Sequence, residues 1–187
     1  MNITTDSWPR THRLTVDEYY RMAEVGVLAP DARVELIEGK IIDMAPIGSR
    51  HAAAVDLLAE RFIQALGGSA LVRVQGPVRL GPRSEPQPDI SLLKPRDDRY
   101  AKSHPTAADV LLLVEVSDTS LQFDREIKAR LYARHGIPEL WIADLNDERL
   151  HIFRTPREGD YADVSAVRAG IVRIPALAIE VDLAQLF

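Results

Sequence analysis

The sequence of 187 residues predicts an α/β fold in which helices flank one central mixed sheet. The segment VLLLVEV, residues 110–116, is a continuous apolar run, which is typical of a strand buried on both faces. Helical and extended patterns alternate along the chain, and 46% hydrophobic with 27% charged residues is a globular composition. We therefore expect a flexible N-terminus over residues 1–13 and a single domain over residues 14–187.

The first elements follow from capping and turn signals. Residues 15–26 predict a helix, because Thr15 and Glu18 have capping-box spacing and a glycine ends the segment. Residues 34–45 predict a hairpin, and residues 49–68 predict a second helix. The apolar residues that share one face of this second helix are Val55, Leu58, Phe62 and Leu66.

The later elements alternate strands with one helix. They are a strand or bent pair at 71–80, a strand at 89–93, a long polar loop at 94–109, the buried strand at 110–116, a helix over 123–136, a strand pair over 139–154, and a last strand with a short helix within 174–187.

Composition excludes several classes of site. The chain has no cysteine, so disulfides, thiolate metal sites and a cysteine nucleophile are excluded. The N-terminus lacks the apolar core of a signal peptide, and the longest apolar run is too short to span a bilayer. We expect a cytoplasmic protein that does not contact a membrane. The net charge of −5 is unfavourable for strong nucleic-acid binding.

Two carboxylates occupy positions where a carboxylate is costly. Asp89 opens a strand after Pro88, and Glu115 lies within the most apolar strand. If the two strands are antiparallel neighbours, both carboxylates converge, and a hard cation such as Mg²⁺ or Mn²⁺ would relieve their repulsion. The alternative is structural: Asp89 caps a turn and Glu115 pairs with an arginine.

Lys128 has two interpretations. In an exposed helix, Asp124 and Lys128 form an i,i+4 ion pair worth a few tenths of a kcal/mol. Alternatively, Lys128 reaches from the helix toward Glu115, where its ammonium could orient a water and stabilise charge on a phosphate.

These residues form a recognisable pattern. Pro88-Asp89 followed by Glu115-Val-Ser117 resembles the PD-(D/E)XK nuclease signature, with serine at the usual lysine position and Lys128 downstream. The ordered segments VELIEGKI, VQGPVRL, PQPDISLL, LLLVEVSDTS and DREIKARLYARHGIPELWIADL resemble a bacterial family of restriction endonucleases, formerly a domain of unknown function. The resemblance runs from about residue 14 to the C-terminus.

The resemblance implies a restriction-endonuclease-like fold and a set of site residues. Asp89 and Glu115 match the metal-binding carboxylates, and Lys128 matches a displaced lysine. Glu35 matches a glutamate near the site, although an ordinary hairpin glutamate is the alternative. The residues that the resemblance or the local pattern brings toward the rim of the site are His51, Gln75, Ser117 and Tyr132. His51 could equally be a helix-start or packing histidine.

The implied activity is that of a metal-dependent endonuclease acting on DNA, with Mg²⁺ or Mn²⁺ as cofactor. A homodimer is expected, because cutting both strands of a duplex often uses two sites. Arg96, Arg99 and Lys102 could contact phosphates or could be solvated loop residues. Two other functions stay open: a catalytically inactive nucleic-acid or protein-interaction module with the same fold, and a metal hydrolase for small phosphoesters.

Overall fold

The central sheet of the protein has six strands, which lie side by side in the order of the chain. The structure is a computed structural model that describes residues 10–168 and 170–187. The strands are β3 (Leu71–Val74), β4 (Ile90–Leu93), β5 (Val110–Ser117), β6 (Glu139–Asp144), β7 (Arg149–Arg157) and β8 (Asp160–Val167). Strands β5 and β6 are parallel and all other neighbours are antiparallel. The predicted α/β fold with a central mixed sheet is confirmed.

Helices and two hairpins flank this sheet. They are α1 (Val16–Glu24), β1 (Val34–Ile37) paired with β2 (Lys40–Asp43), α2 (Ser49–Leu66), α3 (Leu121–Phe123), a π turn (Asp124–Lys128), α4 (Ala129–Arg134), and β9 (Ile171–Ile174) paired with β10 (Ile179–Asp182). Single 3₁₀ turns occur at Ala107–Asp109 and Pro175–Leu177. The segment from α3 through α4 connects the parallel strands β5 and β6, as a crossover requires.

The alternation of side chains along β5 divides the core into two layers. Leu112 and Val114 pack with α2 on one face, while Leu113 packs with α4 on the other. Glu115 follows two residues after Leu113, so it points to the α4 face. All these side chains are buried, which confirms that β5 is covered on both faces.

The N-terminal elements confirm the capping and turn predictions. The hydroxyl of Thr15 accepts from the N–H of Glu18, and the Glu18 carboxylate accepts from the Thr15 N–H. The hairpin turns at Glu38-Gly39 between β1 and β2. The four apolar residues predicted for the buried face of α2 are all 5% exposed or less.

The elements differ from the sequence predictions in three places. Residues 77–80 form no strand; Arg79 makes one isolated bridge to Thr106. Strand β8 was not predicted, because it is an exposed edge strand whose side chains lack an apolar alternation. The tail contains the predicted last strand, β10, but its short helical element is the 3₁₀ turn before that strand, and a turn rather than a helix follows it.

The predicted helix over 123–136 begins earlier and is interrupted. It begins at Leu121, passes through the π turn, and ends at Arg134, with Gly136 in a left-handed conformation beyond. No helix in the described part of the chain is long and apolar enough to cross a membrane. The predicted flexibility of residues 1–13 concerns mainly residues 1–9, which lie outside the described residues.

Candidate active site

Asp89 and Glu115 lie beside each other because β4 and β5 are antiparallel neighbours, as predicted. Ile90 pairs with Val114, so the residue before Ile90 lies alongside Glu115. The main-chain N–H of Val116 donates to Asp89 Oδ2 at 2.8 Å, which holds this carboxylate against the end of β5. The predicted convergence of the two carboxylates therefore has a simple cause, the register of two strands.

Lys128 reaches from the π turn into the same place. Its Nζ lies 3.2 Å from Glu115 Oε1 and 3.3 Å from Oε2, and 3.2 Å from Glu35 Oε1. The lysine is only 5% exposed, so the alternative of a solvated ion pair with Asp124 is wrong. One ammonium is shared by two buried carboxylates from different strands.

Glu115 is surrounded by donors. The Tyr132 hydroxyl donates to Glu115 Oε1 at 2.5 Å, in addition to the bonds from Lys128. Burial raises the pKa of the Glu115 carboxyl well above its usual value, and the Lys128 ammonium opposes that rise. Because the Lys128 ammonium and the Tyr132 hydroxyl both donate to Glu115, they stabilise its ionised carboxylate rather than the acid.

The cationic state of Lys128 depends on its neighbours. Burial alone would lower the pKa of this lysine, but the carboxylates of Glu115, Glu35 and Asp124 outweigh burial and raise the pKa above its usual value. Burial also raises the pKa of the Tyr132 hydroxyl, with a further rise from Glu115. At neutral pH the site therefore holds an ammonium and a neutral phenol.

Glu35 is buried beside Lys128 and is therefore not an exposed hairpin glutamate. It lies on β1 and is 3% exposed. Its Oε2 accepts from the main-chain N–H of Gln87 at 3.0 Å, while Oε1 faces Lys128. The proline-rich loop before Asp89 thus fixes the orientation of Glu35, a contact for which the sequence carries no signal.

His51 and Gln75 both contact Asp89. His51, in the first turn of α2, has its Nε2 3.1 Å from Asp89 Oδ2. This hydrogen bond raises the pKa of the imidazole, although burial opposes the rise. Gln75 is exposed; its main-chain N–H donates to Asp89 O at 2.9 Å and its side chain lies 3.5 Å from Oδ1. Both residues lie at the edge of the carboxylate pair, and their place at the rim of a functional site stays a prediction.

Ser117 and Tyr132 do not lie at the rim. Both are 0% exposed, because Ser117 ends the covered strand β5 and Tyr132 is on the inner face of α4. Tyr132 contacts Glu115 from beneath. Ser117 donates to Asp124, a residue that the sequence prediction treated only as the partner of an exposed ion pair. The spacing Ser117, Ser120, Asp124 was the available signal for this buried cluster.

A cleft of about 370 Å³ opens above these groups. Its charged lining residues are the carboxylates Glu35, Asp43, Asp89, Glu115, Asp118 and Asp124 and the cations Arg33 and Lys128. A surplus of carboxylate oxygens is the donor chemistry that Mg²⁺ and Mn²⁺ prefer. By residue type, the lining therefore suits a divalent cation.

The carboxylates are not arranged as a finished cation site. Among residues 10–168 and 170–187, no three His, Asp or Glu side chains stand together in a metal-binding arrangement. The oxygens of Glu115 are instead occupied by Lys128 and Tyr132. A bound cation would have to compete with this ammonium for Glu115.

The chain is thus an α/β protein in which paired carboxylates and a buried lysine meet beneath a charged cleft, at one end of the neighbouring strands β4 and β5. The chain belongs to the Uma2 family, described as "putative restriction endonuclease", whose model matches residues 16–185. The predicted family membership is confirmed by this match.

A solved structure has the same fold. It is a putative nuclease belonging to DUF820 from Anabaena variabilis, with a TM-score of 0.71 at 19% sequence identity, covering 93% of this chain and 97% of that chain. At this identity the likeness concerns the fold alone. No curated protein matches the sequence.

Proposed function

We propose that this protein is an endonuclease that hydrolyses phosphodiester bonds of DNA with Mg²⁺ or Mn²⁺ held by Asp89 and Glu115. The observation that carries the proposal is the convergence of Asp89, Glu115 and Lys128 on one acidic cleft. The family, described as restriction endonucleases, supports a nuclease function independently of that geometry. When bound, the cation would acidify a water and neutralise charge on the scissile phosphate.

The residues of the chain divide the remaining work. Lys128 carries a positive charge toward the cleft, where it stabilises negative charge that develops on a phosphate oxygen. Glu35 and Glu115 keep that lysine charged and oriented. His51 holds Asp89 from the α2 side, and the Val116 N–H holds it from β5.

The test is a cleavage assay with purified protein, supercoiled plasmid or single-stranded DNA, and Mg²⁺, Mn²⁺ or EDTA. Asp89→Asn, Glu115→Gln and Lys128→Met should each abolish cleavage. The matched control is Glu60→Gln, an exposed glutamate on α2 that bonds only Gln64 within the described contacts and should cleave normally. Cleavage that survives in Asp89→Asn would refute the assignment of the site.

A second function is favoured by one observation. Because Glu115 is already paired with Lys128 and Tyr132, the same fold could serve as an inactive nucleic-acid-binding module. Isothermal titration with Mn²⁺ separates the two: the nuclease binds the cation and loses this binding in Asp89→Asn, whereas the inactive module binds none. Turnover of a model phosphodiester without preference for DNA would indicate a small-phosphoester hydrolase.

The proposal includes a homodimer, since two sites are needed to cut both strands of a duplex in one encounter. Analytical ultracentrifugation with and without duplex DNA measures the assembly. A linear plasmid product without a nicked intermediate would support paired sites, whereas accumulation of nicked plasmid would support a monomer that cuts one strand at a time.

A further inference from the structure

We propose that Asp124 is a positioning residue that fixes the π turn to the end of β5 and thereby sets where the Lys128 ammonium lies. This inference rests on the proposed nuclease function, since it concerns the lysine of that site. It assigns a role to a residue that contacts neither Asp89 nor Glu115 by a hydrogen bond.

Asp124 is anchored by two hydroxyl groups. Ser117 Oγ donates to Asp124 Oδ2 at 2.7 Å, and Ser120 Oγ donates to the same oxygen at 2.5 Å. Asp124 is 3% exposed and Ser117 is 0% exposed. A carboxylate this deep is costly unless hydrogen bonds compensate for lost water, so these contacts hold the start of the π turn against the sheet.

The backbone between Asp124 and Lys128 forms a π turn within a helical segment. The N–H of Ala129 bonds to the carbonyl of Asp124, which is the i→i+5 spacing of a π turn. Single π turns occur within α-helices frequently at functional sites. Here the widened turn leaves both Asp124 and Lys128 buried and lining the cleft. Anchoring the first of these residues therefore constrains the second.

The proposal also explains the serine of the motif. Ser117 lies two residues after Glu115 on the same face of β5, where the nuclease signature usually has its lysine. In this chain that position carries a hydroxyl that binds the helical segment bearing Lys128. Ser117 thus does not supply the missing charge; it holds the segment that does.

The test compares Asp124→Ala with Asp124→Asn in the plasmid assay, measuring kcat and KM separately. Asp124→Ala should lower kcat roughly 10- to 100-fold, because a misplacement of about 1 Å of a reacting group can cost about 100-fold, with KM for DNA unchanged. Asp124→Asn keeps an oxygen that accepts from both hydroxyls and should retain most of the activity. Ser117→Ala and Ser120→Ala should each fall between the wild type and Asp124→Ala.

Two controls separate positioning from general destabilisation. Glu126→Gln alters an exposed carboxylate in the same turn, and Ile137→Val weakens the buried core beyond α4. Both should keep wild-type kcat, even where Ile137→Val lowers the melting temperature as much as Asp124→Ala. Equal loss of kcat in Asp124→Asn and Asp124→Ala would overturn the proposal, because charge rather than anchoring would then matter.

Hydrogen–deuterium exchange gives a readout that does not depend on cleavage. Asp124→Ala should speed amide exchange of residues 124–129 relative to residues 139–144 of β6, whereas Asp124→Asn should not. Unchanged exchange in Asp124→Ala would overturn the anchor even if the wild type cleaves DNA. If the wild type fails to cleave DNA but exchange increases as expected, the nuclease proposal fails and the anchor stands.

Discussion

Replacing Lys128 with methionine should destabilise the protein and make its stability depend strongly on pH. The lysine is 5% exposed, and its two partners, Glu35 and Glu115, are each 3% exposed. At about 3.2 Å, one contact contributes about 5 kcal/mol at an effective dielectric constant of about 20, before the cost of desolvation. Removing one partner of a buried ion pair costs about 3–5 kcal/mol, which we expect for Lys128→Met near pH 8.

The sign of the pH effect follows from Glu115. Burial raises the pKa of this carboxyl, and loss of the opposing ammonium raises it further. A folded-state pKa above the unfolded value means that the native state binds the extra proton. Stability of Lys128→Met is therefore greatest at acidic pH, below the unfolded pKa of glutamate, and is lost as pH rises toward the folded pKa.

Urea denaturation followed by circular dichroism, repeated from pH 5 to pH 9, measures this effect. The control is Glu115→Gln combined with Lys128→Met, which removes the charges of Glu115 and Lys128. It should recover part of the lost stability at pH 8, since Glu35 still lacks its ammonium and keeps only the hydrogen bond from the Gln87 N–H. A loss below about 1 kcal/mol for Lys128→Met at pH 8, the value typical of exposed pairs, would refute the reasoning. So would a double variant as unstable as the single one.

Three further outcomes are expected. Tyr132→Phe should cost about 1.5–3 kcal/mol, because it removes a hydrogen bond to the Glu115 carboxylate, and urea denaturation measures it. Phe62→Ala should cost about 3–5 kcal/mol, since the ring is fully buried and packs on Trp141. Urea denaturation followed by tryptophan fluorescence should give the same lowered midpoint as circular dichroism. Thr15→Ala should cost about 1 kcal/mol through the lost cap of α1, without any change in cation binding.

The fold could be predicted where local signals and burial agree. The capping box at Thr15, the apolar face of α2 and the apolar run of β5 each satisfy one strong physical requirement. Strand β8 could not be predicted, because an exposed edge strand buries little and so shows no apolar alternation. The π turn could not be predicted either, since nothing in DREIK distinguishes it from an ordinary helix.

Candidate site residues could be predicted where a carboxylate stands at a position that normally carries an apolar side chain. Glu115 is a carboxylate within a buried strand and Asp89 is buried directly before one, so the sequence predicted their convergence on the condition that the two strands are antiparallel neighbours. Asp124 lies near the start of a helical segment, where a carboxylate is common, so no sign in the sequence indicated that its side chain is buried. The contact of Tyr132 with Glu115 could not be predicted for a similar reason, because an aromatic residue on a helix face most often packs in the core.

The charge of the buried group gives the strongest argument for a cation. By formal charge, Lys128 balances one of the two carboxylates that contact it, so Glu35, Glu115 and Lys128 carry one net negative charge and Asp89 adds another. The raised pKa of Glu115 reduces this negative charge wherever that carboxyl is protonated. His51 offsets that second charge only when protonated. A phosphate brought to this cleft would meet repulsion unless positive charge accompanied it. The negative charge of the cleft therefore supports the proposal that a cation accompanies a phosphate there.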